Sequence, residues 1–230
     1  MGNSTPGGLV VAIDGPSGSG KSSTSRGVAR ALGLRYLDTG AMYRALTWWF
    51  MAQGADTADE ELLAAQAAEP VLEVSTDPDD PWTRVNGTDV SADIRTREVS
   101  AVVSAVARVP AVRERLIGMQ RAIIGAADPG IVAEGRDIGT VVAPAAELKV
   151  FLTADSGERA RRRAAEQGAA VDVTEADQAR RDRLDAAQSA MAADAVLIDA
   201  TELTLDEVIG EITRLARERY ALACAGDTNI

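Results

Sequence analysis

The segment GPSGSGKS, residues 15–22, is the most informative stretch of the sequence. It fits the pattern G-x-x-x-x-G-K-[ST] at every fixed position. An apolar run, Leu9–Ile13, precedes it, and an amphipathic stretch, Lys21–Leu32, follows it. A buried strand, a glycine-rich loop and a helix in this order predict a phosphate-binding loop. The backbone N–H groups of such a loop and the positive end of its helix face the same phosphate oxygens.

The residue types of this segment suit a nucleoside triphosphate. The glycines leave the backbone open to phosphate oxygens. Lys21 is expected to reach the β- and γ-phosphates, and the Ser22 hydroxyl is expected to ligate the Mg²⁺ that accompanies the nucleotide. The residues predicted to bind ATP here are Gly15, Pro16, Ser17, Gly18, Ser19, Gly20, Lys21, Ser22 and Ser23.

Outside the loop, short apolar runs alternate with helical patterns. Further strands are predicted at 35–37, 131–133, 148–152 and 196–198. Helices are predicted at 41–53, 59–68, 96–107, 111–126, 156–167, 175–187 and 205–222. This alternation favours an α/β fold, with a parallel sheet covered by helices on both faces. Between Pro70 and Val90, two short alternating runs and a turn signal at Asn86-Gly87 predict a small antiparallel insertion.

The composition excludes several kinds of site. The 230 residues include no histidine and one cysteine, Cys224, so a histidine base, a zinc–histidine site and an intramolecular disulfide are excluded. The net charge of −11 argues against binding of a nucleic acid polymer or an anionic membrane. The sequence contains no export signal and no apolar run long enough to span a membrane, and we expect a cytoplasmic monomer.

A phosphate-binding loop is compatible with a GTPase, a mechanical ATPase or a small-molecule kinase. The guanine-binding motif Asn-Lys-x-Asp of a GTPase does not occur in the sequence. The run Ile131–Glu134 imitates the acid-ended strand of a mechanical ATPase. The small size of the chain and its 22 arginines favour a kinase that closes over two anionic substrates.

Longer segments resemble those of the bacterial cytidylate kinases, phosphate-loop enzymes that phosphorylate CMP and dCMP with ATP. Two of these segments are LDTGAMYR at residues 37–44 and EGRDIGTVV at residues 134–142. Shorter agreements lie at 93–96, 109–113 and 149–152. Adenylate and shikimate kinases are weaker fits to the same segments.

The resemblance implies an architecture as well as an activity. It implies a core with five parallel strands, a small inserted sheet in the monophosphate-binding region, and a mobile lid of helices. The corresponding boundaries are a disordered leader at 1–8, a kinase domain at 9–222 with the insertion at about 70–90 and the lid at about 156–190, and a tail at 223–230.

The resemblance also assigns roles to individual side chains. Arg44 and Arg136 are expected to hold the acceptor phosphate, because a planar guanidinium can bind two oxygens at once. The other residues expected to bind CMP are Thr39, Tyr43, Arg95, Ser104, Arg113, Asp137, Arg181 and Asp185. The residues expected to act in catalysis are Lys21, Arg136 and Arg181.

Three of these side chains, Ser104, Arg113 and Asp137, are expected to read the base. Cytosine offers acceptors at O2 and N3 and a donor at its amino group. Arg113 can donate to the acceptors, and Asp137 can accept from the amino group. Uracil reverses two of those sites, so we expect discrimination against UMP, since an unpaired buried polar group costs about 1–3 kcal/mol.

The lid is the place where the sequence departs from the resemblance. Outside the loop, the residues assigned to ATP are Arg159 and Arg163. The family lid reads roughly Arg-Asp-x-x-Asp-Ser-x-Arg, whereas this chain has Arg181–Asp185 followed by Gln188 at the place of the second arginine. Either Arg180 or Arg183 could substitute for it. Two alternatives therefore stand beside a CMP kinase: another small-molecule kinase, and a catalytically weak nucleotide-binding protein.

Overall fold

The computed structural model describes residues 8–167, 179–180, 182–185 and 189–226. Its main sheet contains β1 (Leu9–Asp14), β2 (Arg35–Asp38), β6 (Gly130–Gly135), β7 (Leu148–Thr153) and β8 (Val196–Asp199). A second sheet contains β3 (Leu72–Val74), β4 (Thr83–Val85) and β5 (Thr88–Asp89). The main sheet is parallel throughout, with the spatial order β2-β6-β1-β7-β8, and the second is antiparallel. The predicted α/β fold with a small antiparallel insertion is confirmed.

Helices connect these strands and cover both faces of the main sheet. They are α1 (Lys21–Leu32), α2 (Thr39–Ala52), α3 (Glu60–Gln66), α4 (Arg97–Val106), α5 (Pro110–Gly125), α6 (Ser156–Gln167) and α7 (Leu205–Gly226). A 3₁₀ turn spans Asp93–Arg95, and a π-helical turn spans Ile138–Val142. Helix α7 ends at Gly226 rather than at the predicted residue 222. Of the helix predicted at 175–187, residues 179–180 and 182–185 are described, and they are helical.

The apolar run that precedes the glycine-rich loop is buried on both faces of the sheet. Val11 and Ile13 pack into a core with α1 and α7, whereas Ala12 packs into a second core with α2, α5 and the small sheet. All three residues have no exposed surface. Successive residues of a strand point to opposite faces, so a strand covered on both sides must be apolar throughout.

Two glycines shape the segment between β1 and α1. Gly15 has φ of 151°, and a Cβ there would lie 2.0 Å from the carbonyl oxygen of Leu152, so only glycine fits beside β7. Gly20 has φ of 89° and comes directly before α1. The chain can therefore turn sharply at the carboxyl end of β1 and direct the start of α1 back toward the loop.

The insertion is built on a tight turn. Asn86 and Gly87 have φ of 51° and 79°, and they join β4 to β5. Positive φ at both central residues is the geometry that two-residue hairpins prefer, and Asn-Gly is the residue pair that adopts it most readily. Helix α2 packs against this sheet, which thereby adjoins the segment 37–44.

The described helices give no candidate for a membrane span: none of them combines the necessary length with sufficient hydropathy.

Candidate active site

A cleft of about 180 Å³ lies at the carboxyl ends of β1, β2 and β6. Parallel α/β sheets place their ligand sites at this edge. Of the sequence-predicted site residues, those that line the cleft are Ser17, Gly18, Gly20, Lys21, Ser22, Ser23, Thr39, Tyr43, Arg44, Arg95, Ser104, Arg113, Arg136, Asp137 and Asp185. Gly15, Pro16 and Ser19 belong to the loop but do not line the cleft, and Arg159 does not line it either. The side chain of Arg163 and the whole of Arg181 lie outside the described part of the chain.

Three cationic side chains donate hydrogen bonds to carbonyl oxygens of the glycine-rich loop. Lys21 Nζ donates to the carbonyl oxygen of Pro16 at 2.6 Å, and Arg159 Nη1 donates to that of Ser17 at 3.1 Å. Arg136 Nη1 donates to the carbonyl oxygen of Gly15. Helix α1 has no acidic residue in its first turn, so its positive end is not neutralised there. The loop thus combines adjacent cationic side chains with the positive end of a helix, and both features favour an anion.

Both of these arginines also contact the helical residues 182–185. Arg159 Nη1 lies 2.7 Å from Asp182 Oδ2, and Arg136 Nη2 lies 3.1 Å from Asp185 Oδ2. All four side chains are less than one third exposed. Segment 182–185 is therefore joined, through these ion pairs, to two arginines that also donate to the glycine-rich loop.

Two further arginines, Arg44 and Arg95, lie in α2 and in the 3₁₀ turn. Arg44 is buried within α2, and its Nη1 donates to Ser100 Oγ at 2.8 Å and to the carbonyl oxygen of Ile94 at 3.3 Å. Arg95 Nη2 pairs with Asp38 Oδ2 at 3.2 Å. These contacts hold both guanidinium groups at the cleft wall, where each can still meet an anion.

A buried ion pair occupies the part of the cleft nearest α5. Arg113 Nη2 lies 2.5 Å from Asp137 Oδ2, and the two side chains are 20% and 10% exposed. Beside them, Ser104 Oγ is buried without a hydrogen-bond partner within the described residues, and the buried Tyr43 hydroxyl lies near the Gln120 side chain. Burial raises the pKa of Tyr43 to about 12, so its hydroxyl stays protonated and can donate. Ser104 and Tyr43 both line the cleft, so their hydroxyls are available to a polar ligand there.

Sequence analysis missed Glu134 as a site residue. This carboxyl is buried at the end of β6, where Oε2 accepts from Ser22 Oγ at 3.1 Å and Oε1 accepts from the Tyr36 hydroxyl. Burial first, and then the charge of Asp38, raises the pKa of Glu134 to about 7. The signal was present in the acid-ended run Ile131–Glu134, which suggested only an imitation of another enzyme class.

Metal ligands in this cleft are sparse. The described residues contain no group of three or more His, Cys, Asp or Glu side chains that could hold a metal ion by themselves. Ser22 and Glu134 supply hard oxygen donors beside the glycine-rich loop, which is the donor chemistry that Mg²⁺ prefers. A metal that arrives with phosphate oxygens of its own fits this arrangement.

Comparisons with known proteins agree with this geometry. A family model described as Cytidylate kinase matches residues 11–218. A cytidylate kinase of Streptomyces avermitilis is 50% identical over 218 residues, which cover 93% of this chain and 94% of that protein. A cytidylate kinase of Nocardia farcinica is 48% identical over 235 residues, covering 98% of this chain and 100% of that protein. Among solved structures, an uncharacterized protein from Eubacterium ventriosum superposes with a TM-score of 0.51 at 11% identity, covering 91% of this chain and 98% of that one, a likeness of fold alone.

Proposed function

The chain belongs to the cytidylate kinase family, and we propose that it transfers the γ-phosphate of ATP to CMP or dCMP, giving ADP and CDP or dCDP. One observation carries the proposal beyond family membership. A single cleft is lined both by the glycine-rich loop and by the buried Arg113–Asp137 pair, so one cavity offers a triphosphate site and a polar, base-sized site.

The donor nucleotide is proposed to bind at the loop. Lys21 Nζ is held 2.6 Å from the Pro16 carbonyl oxygen, so its ammonium group is positioned at the rim of the loop beside the backbone amides. Arg159 adds a second cation at Ser17. Charge that spreads over the γ-phosphate during transfer is stabilised by cations already in place, which is the main source of rate in phosphoryl transfer.

Mg²⁺ is proposed to accompany ATP, with Ser22 as its protein ligand. Ser22 Oγ is already oriented by its 3.1 Å hydrogen bond to Glu134. The bound metal neutralises part of the phosphate charge. Glu134 keeps the serine hydroxyl at the carboxyl edge of the sheet, between β1 and β2.

The acceptor phosphate is proposed to bind to Arg44 and Arg136. Both line the cleft, and both are anchored by other contacts, Arg44 to Ser100 and Arg136 to Gly15 and Asp185. An anchored guanidinium loses little side-chain entropy when it binds two phosphate oxygens.

The base is proposed to be read by Arg113, Asp137 and Ser104. Arg113 engages Asp137 Oδ2, so Oδ1 is the oxygen proposed to accept from the amino group of cytosine. Ser104 Oγ, buried without a partner in the described residues, can serve O2 or N3. Uracil would turn a carbonyl oxygen toward the Asp137 carboxylate, and the resulting unpaired charge disfavours UMP.

The proposed reaction requires no general base. The second pKa of a phosphate monoester is about 6, so the attacking oxygen of CMP is already ionised at neutral pH. The sequence has no histidine that could serve as a base near neutrality. The cleft therefore has to align two anions and stabilise the charge that develops between them.

ADP release with CMP, dCMP, UMP, AMP and no acceptor tests the proposed function. We expect release to depend on CMP or dCMP, with kcat/KM for UMP and AMP lower by at least about 10²-fold. Preference for AMP or UMP would indicate another nucleoside monophosphate kinase. Release that is slow and independent of any acceptor would indicate a protein that only binds nucleotide. The cytoplasmic location and the monomeric state stay predictions from the sequence.

A further inference from the structure

We propose that Asp14 is a positioning residue that fixes the acceptor-binding segment Arg136–Asp137 to the phosphate-binding loop. Asp14 is the last residue of β1 and comes directly before Gly15. It is 5% exposed and does not line the cleft. Sequence analysis gave it no role beyond the end of a strand. The inference rests on the proposed function, because it assigns Asp14 to the alignment of the two substrates.

Both oxygens of the Asp14 carboxylate are engaged by the acceptor-side segment. Oδ1 accepts from the backbone N–H of Ile138, and Oδ2 accepts from that of Gly139, each at 2.8 Å. A carboxylate accepts hydrogen bonds at both oxygens, and here each oxygen of Asp14 has its own backbone N–H donor. These two amides belong to the residues that immediately follow Asp137. The contact joins positions 124 and 125 residues apart in the chain.

The sheet by itself leaves this segment without support. In the ladder between β1 and β6, Asp14 is the partner of Gly135, and β6 ends at that residue. Arg136 and Asp137 therefore lie beyond the last strand residue, before the π-helical turn Ile138–Val142. The Asp14 carboxylate accepts hydrogen bonds from the first two backbone N–H groups of this turn, beyond the end of the strand pairing.

A second contact runs in the opposite direction. Arg136 Nη1 donates to the carbonyl oxygen of Gly15, the residue after Asp14. Two side chains thus connect the start of the phosphate-binding loop to the acceptor-side segment: Asp14 from the first and Arg136 from the second. The reacting atoms in a transfer must come within about 3–3.5 Å, and a misplacement of about 1 Å can cost about 10²-fold in rate. Asp14 sets this spacing without touching either substrate.

The variant Asp14→Asn tests the role while preserving side-chain shape. Its amide has one acceptor oxygen, and its NH₂ group opposes the second backbone N–H. We expect kcat/KM for CMP to fall by about tenfold or more, with a lower ratio of kcat/KM for CMP to that for UMP, because Asp137 loses its fixed place. We expect the Kd for ADP, measured without CMP, to stay within about threefold of the wild-type value.

Glu147→Gln is the matched control. Glu147 Oε2 accepts from the backbone N–H of Val10 at 2.8 Å, so it makes the same kind of contact at the opposite end of β1. We expect this variant to leave the CMP-to-UMP ratio unchanged, whatever it does to the unfolding temperature. If Asp14→Asn and Glu147→Gln both lower the unfolding temperature and neither changes the ratio, Asp14 is merely structural and the proposal is wrong. A parallel loss of ADP affinity in Asp14→Asn also overturns it.

Amide hydrogen exchange on the unliganded wild-type protein tests the contact without any activity. We expect slow exchange at Ile138 and Gly139, and faster exchange at both in Asp14→Asn. Rapid exchange in the wild type, or rates unchanged by the substitution, would overturn the proposal even if Asp14→Asn folds poorly. If the wild type makes no CDP, the proposed function fails on its own, and the exchange rates still decide whether Asp14 fixes the segment.

Discussion

The proposed donor and acceptor regions of the cleft are built in opposite ways. The donor region is one continuous backbone segment, residues 15–22, with cationic side chains on its carbonyl oxygens. The acceptor region is assembled from side chains of β2, α2, α4, α5 and the segment after β6. A site made of backbone recognises any triphosphate, whereas a site made of paired side chains distinguishes one base from another. Substitutions in the donor region should therefore slow transfer to every acceptor, and those in the acceptor region should change which acceptor is used.

Lys21→Ala should have the largest effect. It removes the ammonium group beside the Pro16 carbonyl and should lower kcat at least about 10²-fold with CMP and with dCMP alike. The control is Lys149→Ala, which removes the other lysine of the chain. Lys149 is buried, pairs with Asp194 at 2.8 Å and does not line the cleft.

We expect Lys149→Ala to lower the unfolding temperature while kcat stays within about threefold of wild type. A near-normal kcat for Lys21→Ala would contradict the proposal that the glycine-rich loop binds the phosphates of ATP. Equal kinetic losses in both variants would show that the two lysines act through stability.

Asp137→Ala should change selectivity rather than donor binding. It deletes the proposed acceptor for the cytosine amino group and leaves Arg113 without its 2.5 Å partner. The ratio of kcat/KM for CMP to that for UMP should fall by about 10- to 100-fold, the equivalent of losing one buried polar contact. The Kd for ADP is the control. An unchanged ratio would mean that the base is read elsewhere, and the distinction between the two regions would fail.

Glu134→Gln should change how the stability of the free protein depends on pH. Folding raises the pKa of Glu134 from its ordinary 4.5 to about 7, chiefly through burial. Between these values the folded state binds more protons than the unfolded state, so wild-type stability should fall as pH rises through this window. Glu134→Gln lacks this term, so relative to it the wild type should lose about 2–3 kcal/mol between pH 5 and pH 8.

Urea unfolding of both proteins at the two pH values measures this difference. A constant difference in the free energy of unfolding would show that the Glu134 carboxyl does not change its protonation on folding.

Arg30→Ala should have the smallest effect. Arg30 Nε pairs with Asp79 Oδ1 at 2.6 Å, but the side chains are 45% and 74% exposed, and neither lines the cleft. Exposed pairs contribute about 0–1 kcal/mol, so the free energy of unfolding should change by less than about 1 kcal/mol with unchanged kinetics. A marked change in the CMP-to-UMP ratio would mean that the connection between α1 and the turn after β3 takes part in acceptor binding.

The donor region could be predicted because all its information is local. A strand, a spaced set of glycines, Lys21 and Ser22 occur within about fifteen residues, and the backbone conformation follows from residue type. The helix bounds followed similarly local signals. Thr96 and Asp59 accept from backbone N–H groups at the starts of α4 and α3, and Gly33 ends α1 in a left-handed conformation.

Three acids at the carboxyl ends of strands could not be placed in the same way. Asp14, Asp38 and Glu134 each stand at or next to the last residue of β1, β2 and β6. Apart from the backbone N–H of Ala41, which donates to Asp38 at the start of α2, their partners lie 57 to 125 residues away along the chain, as in the pairs Arg95–Asp38 and Gly139–Asp14. Only the strand order β2-β6-β1 brings the three acids together. A search for acids at the carboxyl ends of predicted parallel strands would have marked all three as candidates.

The predictions for the lid are the ones that the structure tests least. Gln188, which stands where the resemblance expects an arginine, lies outside the described residues, as does Arg181. Arg180, one of the two proposed substitutes, donates to the carbonyl oxygen of Ala101 at 3.2 Å and is exposed. Whether Arg180 or Arg183 takes the role of the second arginine stays a prediction, since neither lines the cleft.

The central claim is that one cleft holds ATP and CMP together and passes a phosphoryl group directly between them. The most direct test uses ATP labelled at the γ-phosphate, with CMP and Mg²⁺, and follows the label in the products. We predict that the label appears in CDP in an amount equal to the ADP formed, with little in inorganic phosphate. Label found mainly in inorganic phosphate, at a rate that CMP does not change, would contradict the account.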